Sequence, residues 1–137
     1  MWWVYALFSA LFAAFTAILA KIGIKGINSD LATAIRTVFI LVIAWGIVFA
    51  RKEVTGITSL TRTNWIFLAL SGVATGLSWI FYFKALQMGK VSQVAPVDKL
   101  SVAIAIILSA VILHEVITWK IAIGASLIIG GTIVLIL

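Results

Sequence analysis

The chain has no cysteine, one histidine and one proline, and only 10% of its 137 residues are charged. Each scarcity closes off a chemistry. Without cysteine there is no disulfide, thiolate metal ligand or cysteine nucleophile. The single histidine, His114, cannot form a histidine metal cluster within one chain. No nucleophile–base set stands out, so neither an enzyme nor a metal or cofactor site is expected. No GxxxxGK[ST] loop occurs, which argues against ATP-driven work. Acids are scarce too, and the net charge is +6. The basic residues sit at the ends of apolar segments, as membrane-flanking anchors do. They form no stripe with interleaved aromatics, so a nucleic-acid partner is not expected.

What is abundant is apolar surface. Hydrophobic residues make up 64% of the chain, whereas a soluble domain carries about a quarter charged residues. A chain this short cannot hide that surface from water, so part of it must face lipid. The expected class is an all-α integral membrane protein, multi-pass, in the plasma or inner cell membrane. Five apolar segments approach the ~20 residues that cross a ~30 Å hydrocarbon core. They predict helices at about 2–20, 31–50, 63–83, 95–113 and 118–137, in a single domain over 1–137. The first has no basic residue ahead of it and exceeds the ~7–15 apolar residues of a signal-peptide core, so it is expected as a membrane helix. Asn28, Ser29 and Asp30 are candidate N-caps for the second helix, Thr63 or Asn64 for the third and Thr118 for the fifth. Trp2, Trp3, Trp65 and Trp119 suit interface depth.

Small residues recur four apart. Gly72 and Gly76 share a face of the third helix, and Ala122, Ser126 and Gly130 share one of the fifth. Such faces let helix backbones approach closely in lipid. Packing within the chain is expected, with the fifth helix as the best candidate for a seam between copies.

The charges near the membrane have two readings each. Asp98 and Lys99 lie within the fourth segment, two and three residues after Pro96. Proline suits a first helical turn and disfavours helix just before it. An extended "GKVSQVA" followed by a helix from about residue 95 is therefore expected, with Asp98 in the first turn at the positive end of the helix dipole. Asp98 then either pairs with Lys84, Lys90 or Arg36 to hold the bundle, or lines a water-filled cavity with Lys99. Lys99 either binds an anionic group or snorkels. Arg36 has the same two readings, snorkelling or cavity-lining. Ser71, Thr75, Ser78 and Tyr82 share one face of the third helix, with Trp79 beside them placed to stack on a solute. A packed seam between helices is the alternative. Glu115 is expected to cap a turn or to pair with Lys120.

The run from Ser71 to Leu137 resembles the second half of an EamA domain of the drug/metabolite transporter superfamily. The Gly-rich helix ends in an aromatic run and "KAL", and the small-polar "GKVSQVAP" follows. A small-rich helix then closes on "LHE", where the family tends to have Leu-Gly-Glu, and a last helix carries "IGASLIIGG". The "ATAIR" that opens the second helix is a looser match. The resemblance implies one five-helix half of an inverted-repeat transporter. A small-molecule solute is then the cargo, and two antiparallel copies would rebuild the ten-helix form. The related small multidrug resistance proteins resemble one another in a membrane glutamate on helix one. The first segment here has no acid, so that mechanism of cation export is not implied. The alternative is a non-transporting membrane subunit packed against a larger partner.

Loop charge bears on orientation. Lys21, Lys25, Lys84 and Lys90 share one side of a five-helix chain, and Arg51, Lys52, Arg62 and Lys120 share the other. That balance leaves two readings open: insertion in both orientations with antiparallel pairing, or a single orientation with the N-terminus outside, set by Arg36 and Lys99 on the first side. A reporter fused to the C-terminus checks this. Comparable signal from both sides of the membrane is expected, and signal from one side alone contradicts dual topology.

Overall fold

The structure, a computed structural model, describes residues 1–137. It is all helix: α1 (Trp2–Gly23), α2 (Ser29–Ala50), a 3₁₀ helix (Val54–Ser59), α3 (Arg62–Met88), α4 (Val91–Asp98), α5 (Leu100–Ile112) and α6 (Trp119–Ile136). With α4 and α5 counted as one span, five segments are long and apolar enough to cross a membrane. The chain divides into two compact units, one of Met1–Leu19 with Met88–Leu137 and the other Ala20–Gln87.

The helix ends show why these segments start and stop where they do. The Asn28 side chain accepts from the backbone N–H groups of Asp30 (2.8 Å) and Leu31 (3.3 Å). Asp30 places a carboxylate in the first turn of α2, where the dipole favours it. Thr118 caps α6 by accepting from the N–H of Ile121 at 3.4 Å. The cap of α3 is Thr61, whose hydroxyl accepts from the N–H of Asn64 at 3.2 Å, rather than Thr63 or Asn64. At the other end α3 runs one turn past the expected stop. Lys84, Ala85, Leu86 and Gln87 are good helix formers, and the buried Phe83 and Leu86 anchor that turn. At 27 residues α3 is about 40 Å long, more than a hydrocarbon core needs.

The fourth span departs from expectation most. "VSQVAPVD" is helix α4, not an extended entry, and Pro96 lies inside it. The N–H groups of Gln93 and Val94 both bond to the Lys90 carbonyl, at 3.0 and 2.9 Å. Helix satisfies these backbone groups within the segment, as membrane depth demands. Proline leaves without a partner the carbonyl four residues back, and that residue, Ser92, lies on the exposed first turn. Asp98 is consequently the last residue of α4, not a first-turn residue, and α5 begins one residue later at Leu100.

A Cβ built at Gly72, Gly76 or Gly130 meets nothing within 4 Å, so within its own unit none of the three lies in close contact with a neighbouring helix. Burial is sparse. In the first unit Ala17, Ala103 and Thr132 are covered, with α4, α5 and α6 packed on one another. In the second, Ile24, Ser29, Ala32, Thr33, Phe83 and Leu86 form the core.

Two residues other than glycine adopt left-handed backbone, Lys52 (φ 57°) and His114 (φ 56°). His114 follows the C-cap of α5, the helix-end position where glycine is favoured. His114→Gly is therefore expected to raise stability by about 1 kcal/mol. Thermal unfolding of the detergent-solubilised protein checks it, and a lower melting temperature would contradict it.

Candidate functional site

The unit Ala20–Gln87 builds its site where α2 begins and α3 ends. Arg36 lies on α2 about 10 Å from its start. Trp79 and Phe83 are four apart on α3 and therefore share a face. They lie beneath the Arg36 guanidinium, with its carbon 4.3 Å from the Trp79 ring centroid and 5.3 Å from that of Phe83. A guanidinium over aromatic faces gains ~0.5–2 kcal/mol, more as water is excluded. Arg36 is half-buried in this shelf, and no carboxylate pairs with it. Tyr82 is half-buried next to Phe83, their rings edge to face with centroids 6.4 Å apart.

One turn further along α3, two side chains clasp the loop between α1 and α2. The Gln87 amide donates to the Ile27 carbonyl at 2.6 Å and to the Ile24 carbonyl at 3.4 Å. Lys21 donates from Nζ to the Leu86 carbonyl, a cation at the negative end of the α3 dipole. The loop turns at Gly26, whose φ of +78° suits glycine. Beneath the clasp Leu86 is wholly buried and Ile24 nearly so. The clasp holds the start of α2, and therefore Arg36, against the end of α3.

The other unit holds the α4–α5 break. Lys99 bonds through its N–H to the carbonyls of Pro96 (3.0 Å) and Ala95 (3.3 Å), and its own carbonyl accepts from Val102 at 3.0 Å. The chain tightens into a 3₁₀-like turn here instead of unwinding. Lys99 and Asp98 form the one ion pair of the structure, at 3.2 Å. Within its own unit, Asp98 does not pair with Lys90. Both remain partly exposed, Lys99 at 56% of its side chain and Asp98 at 33%, so the protein itself does not bury these charges. From α6 the buried Thr132 hydroxyl lies 2.8 Å from the Ile128 carbonyl and 3.3 Å from that of Pro96. It ties α6 to the kinked helix beside Asp98.

The structure thus brings Arg36 and Trp79 together and sets Tyr82 beside that shelf. Asp98 and Lys99 form a separate pair. Ser78 is exposed, as are Ser71 and Thr75, and the Thr75 hydroxyl bonds to its own helix at Ser71 O, 2.9 Å away. Glu115 makes no ion pair with Lys120. Phe83, Gln87 and Thr132 escaped sequence reasoning. Only Phe83 carried a signal, its spacing of four from Trp79. No group of residues capable of holding a metal ion is present.

With this geometry in view, comparisons place the chain among known proteins. The EamA-like transporter family matches residues 1–137. A protein from a Sinorhizobium species, described as an uncharacterized transporter in the cobO 3′ region, is 44% identical over 134 residues, which span 98% of this chain and 95% of the relative. No solved structure matches the chain significantly.

Replacing Gln87 by Leu leaves two carbonyls of the α1–α2 loop without their side-chain donor. A stability loss of about 0.5–1.5 kcal/mol is expected. Chemical unfolding in mixed micelles measures it, and an unchanged midpoint would contradict the clasp.

Proposed function

Since the chain belongs to the EamA-like transporter family, we propose that it is one half of a secondary transporter. It moves a small metabolite or drug-like solute through the cell membrane by alternating access, as an antiparallel homodimer, with a proton as the coupling ion. The observation that carries this reading is the Arg36 guanidinium resting over Trp79 and Phe83 within a membrane-spanning segment. An ionisable group there is expensive, and such groups commonly mark a substrate path.

The shelf offers two chemistries at once. The guanidinium binds a carboxylate through paired N–H donors, and the rings supply an apolar wall with Tyr82 and Ser78 on the same helix. A carboxylate-bearing or amphoteric solute suits it better than a bare cation. Lys99 serves as a second attractor for the anionic group. Asp98 is the proton carrier, because it lies inside the span Val91–Ile112, whereas the other carboxylates lie in the first turn of α2 (Asp30) or in loops (Glu53 and Glu115).

The homodimer draws support from the balanced loop charge and from the open small-residue faces. On α6 a groove of about 290 Å³ is lined by Trp119, Ala122, Ile123, Ser126 and Leu127. It contains two of the small residues that suit close approach by another helix.

Purified protein in liposomes, loaded with a pH-sensitive dye and challenged with a panel of carboxylates and amino acids, tests the reading. Solute-dependent proton movement is expected. Arg36→Ala should slow it by about tenfold or more, the loss of a charged hydrogen bond of ~1.5–3 kcal/mol. Lys99→Ala should raise the half-saturating concentration, and Asp98→Asn should abolish proton movement. Full activity in all three variants removes this site. Silence of the wild type across the panel favours the non-transporting subunit instead.

A further inference from the structure

The end of α2 carries a second site with different chemistry. Beyond Ala50 the chain reverses through Lys52, whose left-handed backbone lets its N–H reach the Phe49 carbonyl (3.1 Å) and the Glu53 N–H reach that of Val48 (3.0 Å). This closure lays the 3₁₀ helix Val54–Ser59 back beside the last turns of α2. Between them is a cavity of about 260 Å³ whose wall includes Ala44, Trp45, Val48, Glu53, Ile57 and Leu60. Clefts that enclose whole drug-sized ligands are ~300–1,000 Å³. This one is smaller, half-open and apolar along the Trp45 and Val48 side, which suits a stretch of hydrocarbon chain rather than a compact solute. Trp45 lies about 8 Å from the end of α2. The cavity therefore runs from interface depth, where tryptophan is favoured, into the acyl region.

Charges of both signs adjoin the cavity along the chain, Glu53 in the wall and Arg51 and Lys52 in the two positions before it. Glu53 is the one charged residue in the wall. Its carboxylate has no hydrogen bond or ion pair, although Arg51 and Lys52 precede it directly. The α2 C-terminus adds a partial negative charge at the same place. A bare cation would meet Arg51 and Lys52, and a bare anion would meet Glu53 and the helix end. A group with a phosphate and an ammonium a few ångströms apart satisfies both, and an N–H-bearing ammonium donates to the carboxylate as well.

We propose that this cavity binds a membrane phospholipid with a phosphoethanolamine headgroup. The ammonium donates to Glu53, the phosphate lies against Arg51 and Lys52, and an acyl chain lies along Trp45, Val48 and Ile57. The site is independent of Arg36 and of the transport reading, and it fixes the loop between α2 and α3 at the membrane surface.

The test reconstitutes the full chain into nanodiscs with equal parts phosphoethanolamine, phosphocholine and phosphoglycerol lipids of identical acyl chains. The protein is then extracted gently and the lipids that remain bound are counted by native mass spectrometry. Phosphoethanolamine lipid is expected to be enriched about threefold over each of the others, the range of one charge pair at an exposed surface. Glu53→Gln should bring it to parity with phosphocholine lipid. Gly56→Leu adds a side chain to the cavity wall at a position where a Cβ meets no atom within 4 Å, and it should lower retention of the phosphoethanolamine lipid with unchanged helix content. Free phosphoethanolamine at millimolar concentration should not displace the lipid, because it lacks the chain. The proposal is overturned by equal retention of the three lipids in the wild type, by phosphoglycerol lipid leading, by enrichment that survives Glu53→Gln, or by displacement with the free headgroup.

Discussion

In hydrocarbon, a peptide N–H or C=O that lacks a partner within the protein has no water to turn to, and each such group costs several kcal/mol. This constraint shapes most of what the chain does. It turns "VSQVAPVD" into helix despite its proline, and it tightens the Lys99 junction into short-range hydrogen bonds where a loop would leave bare carbonyls. Hydroxyls obey it too. Thr33, Thr37, Thr75 and Ser126 each donate to the carbonyl four residues back in their own helix. Side chains from another helix add to these junctions, as Gln87 does at the α1–α2 loop and Thr132 at the Pro96 carbonyl that the Lys99 N–H also reaches.

The same scarcity of water gives the ionisable residues their meaning. Arg36 has no carboxylate partner and instead rests on two rings, which leaves its N–H donors directed by an aromatic shelf rather than consumed by an ion pair. Asp98 and Lys99 are the opposite case. Their mutual pairing across a helix break lowers the cost of both charges.

Much of this was legible in the sequence, and the misses are instructive. Apolar length alone located all five spans, and the oxygen-bearing side chains of Asn28 and Thr118 marked the helix starts that they cap. The extra turn of α3 was hidden because the uncharged run ends at Lys84, whereas in place Phe83 and Leu86 anchor that turn and Gln87 clasps the α1–α2 loop. Pro96 misled because its preference for a first turn was weighed without the cost of an extended backbone at membrane depth. Gly72 and Gly76 showed that a face can be suited to close packing, but a four-residue spacing does not say which surface meets it. The Arg36–Trp79 contact joins residues far apart in the chain, and no local pattern carries such a pairing.

The account rests on a helix break at Lys99 that is closed by short-range hydrogen bonds of the Lys99 and Val102 amides. Hydrogen–deuterium exchange of the protein in nanodiscs, resolved to residues 95–104, tests this most directly. Protection of the Lys99 and Val102 amides equal to that of the neighbouring α5 residues is the expected result. Exchange of those two amides at the rate of an open peptide would contradict it.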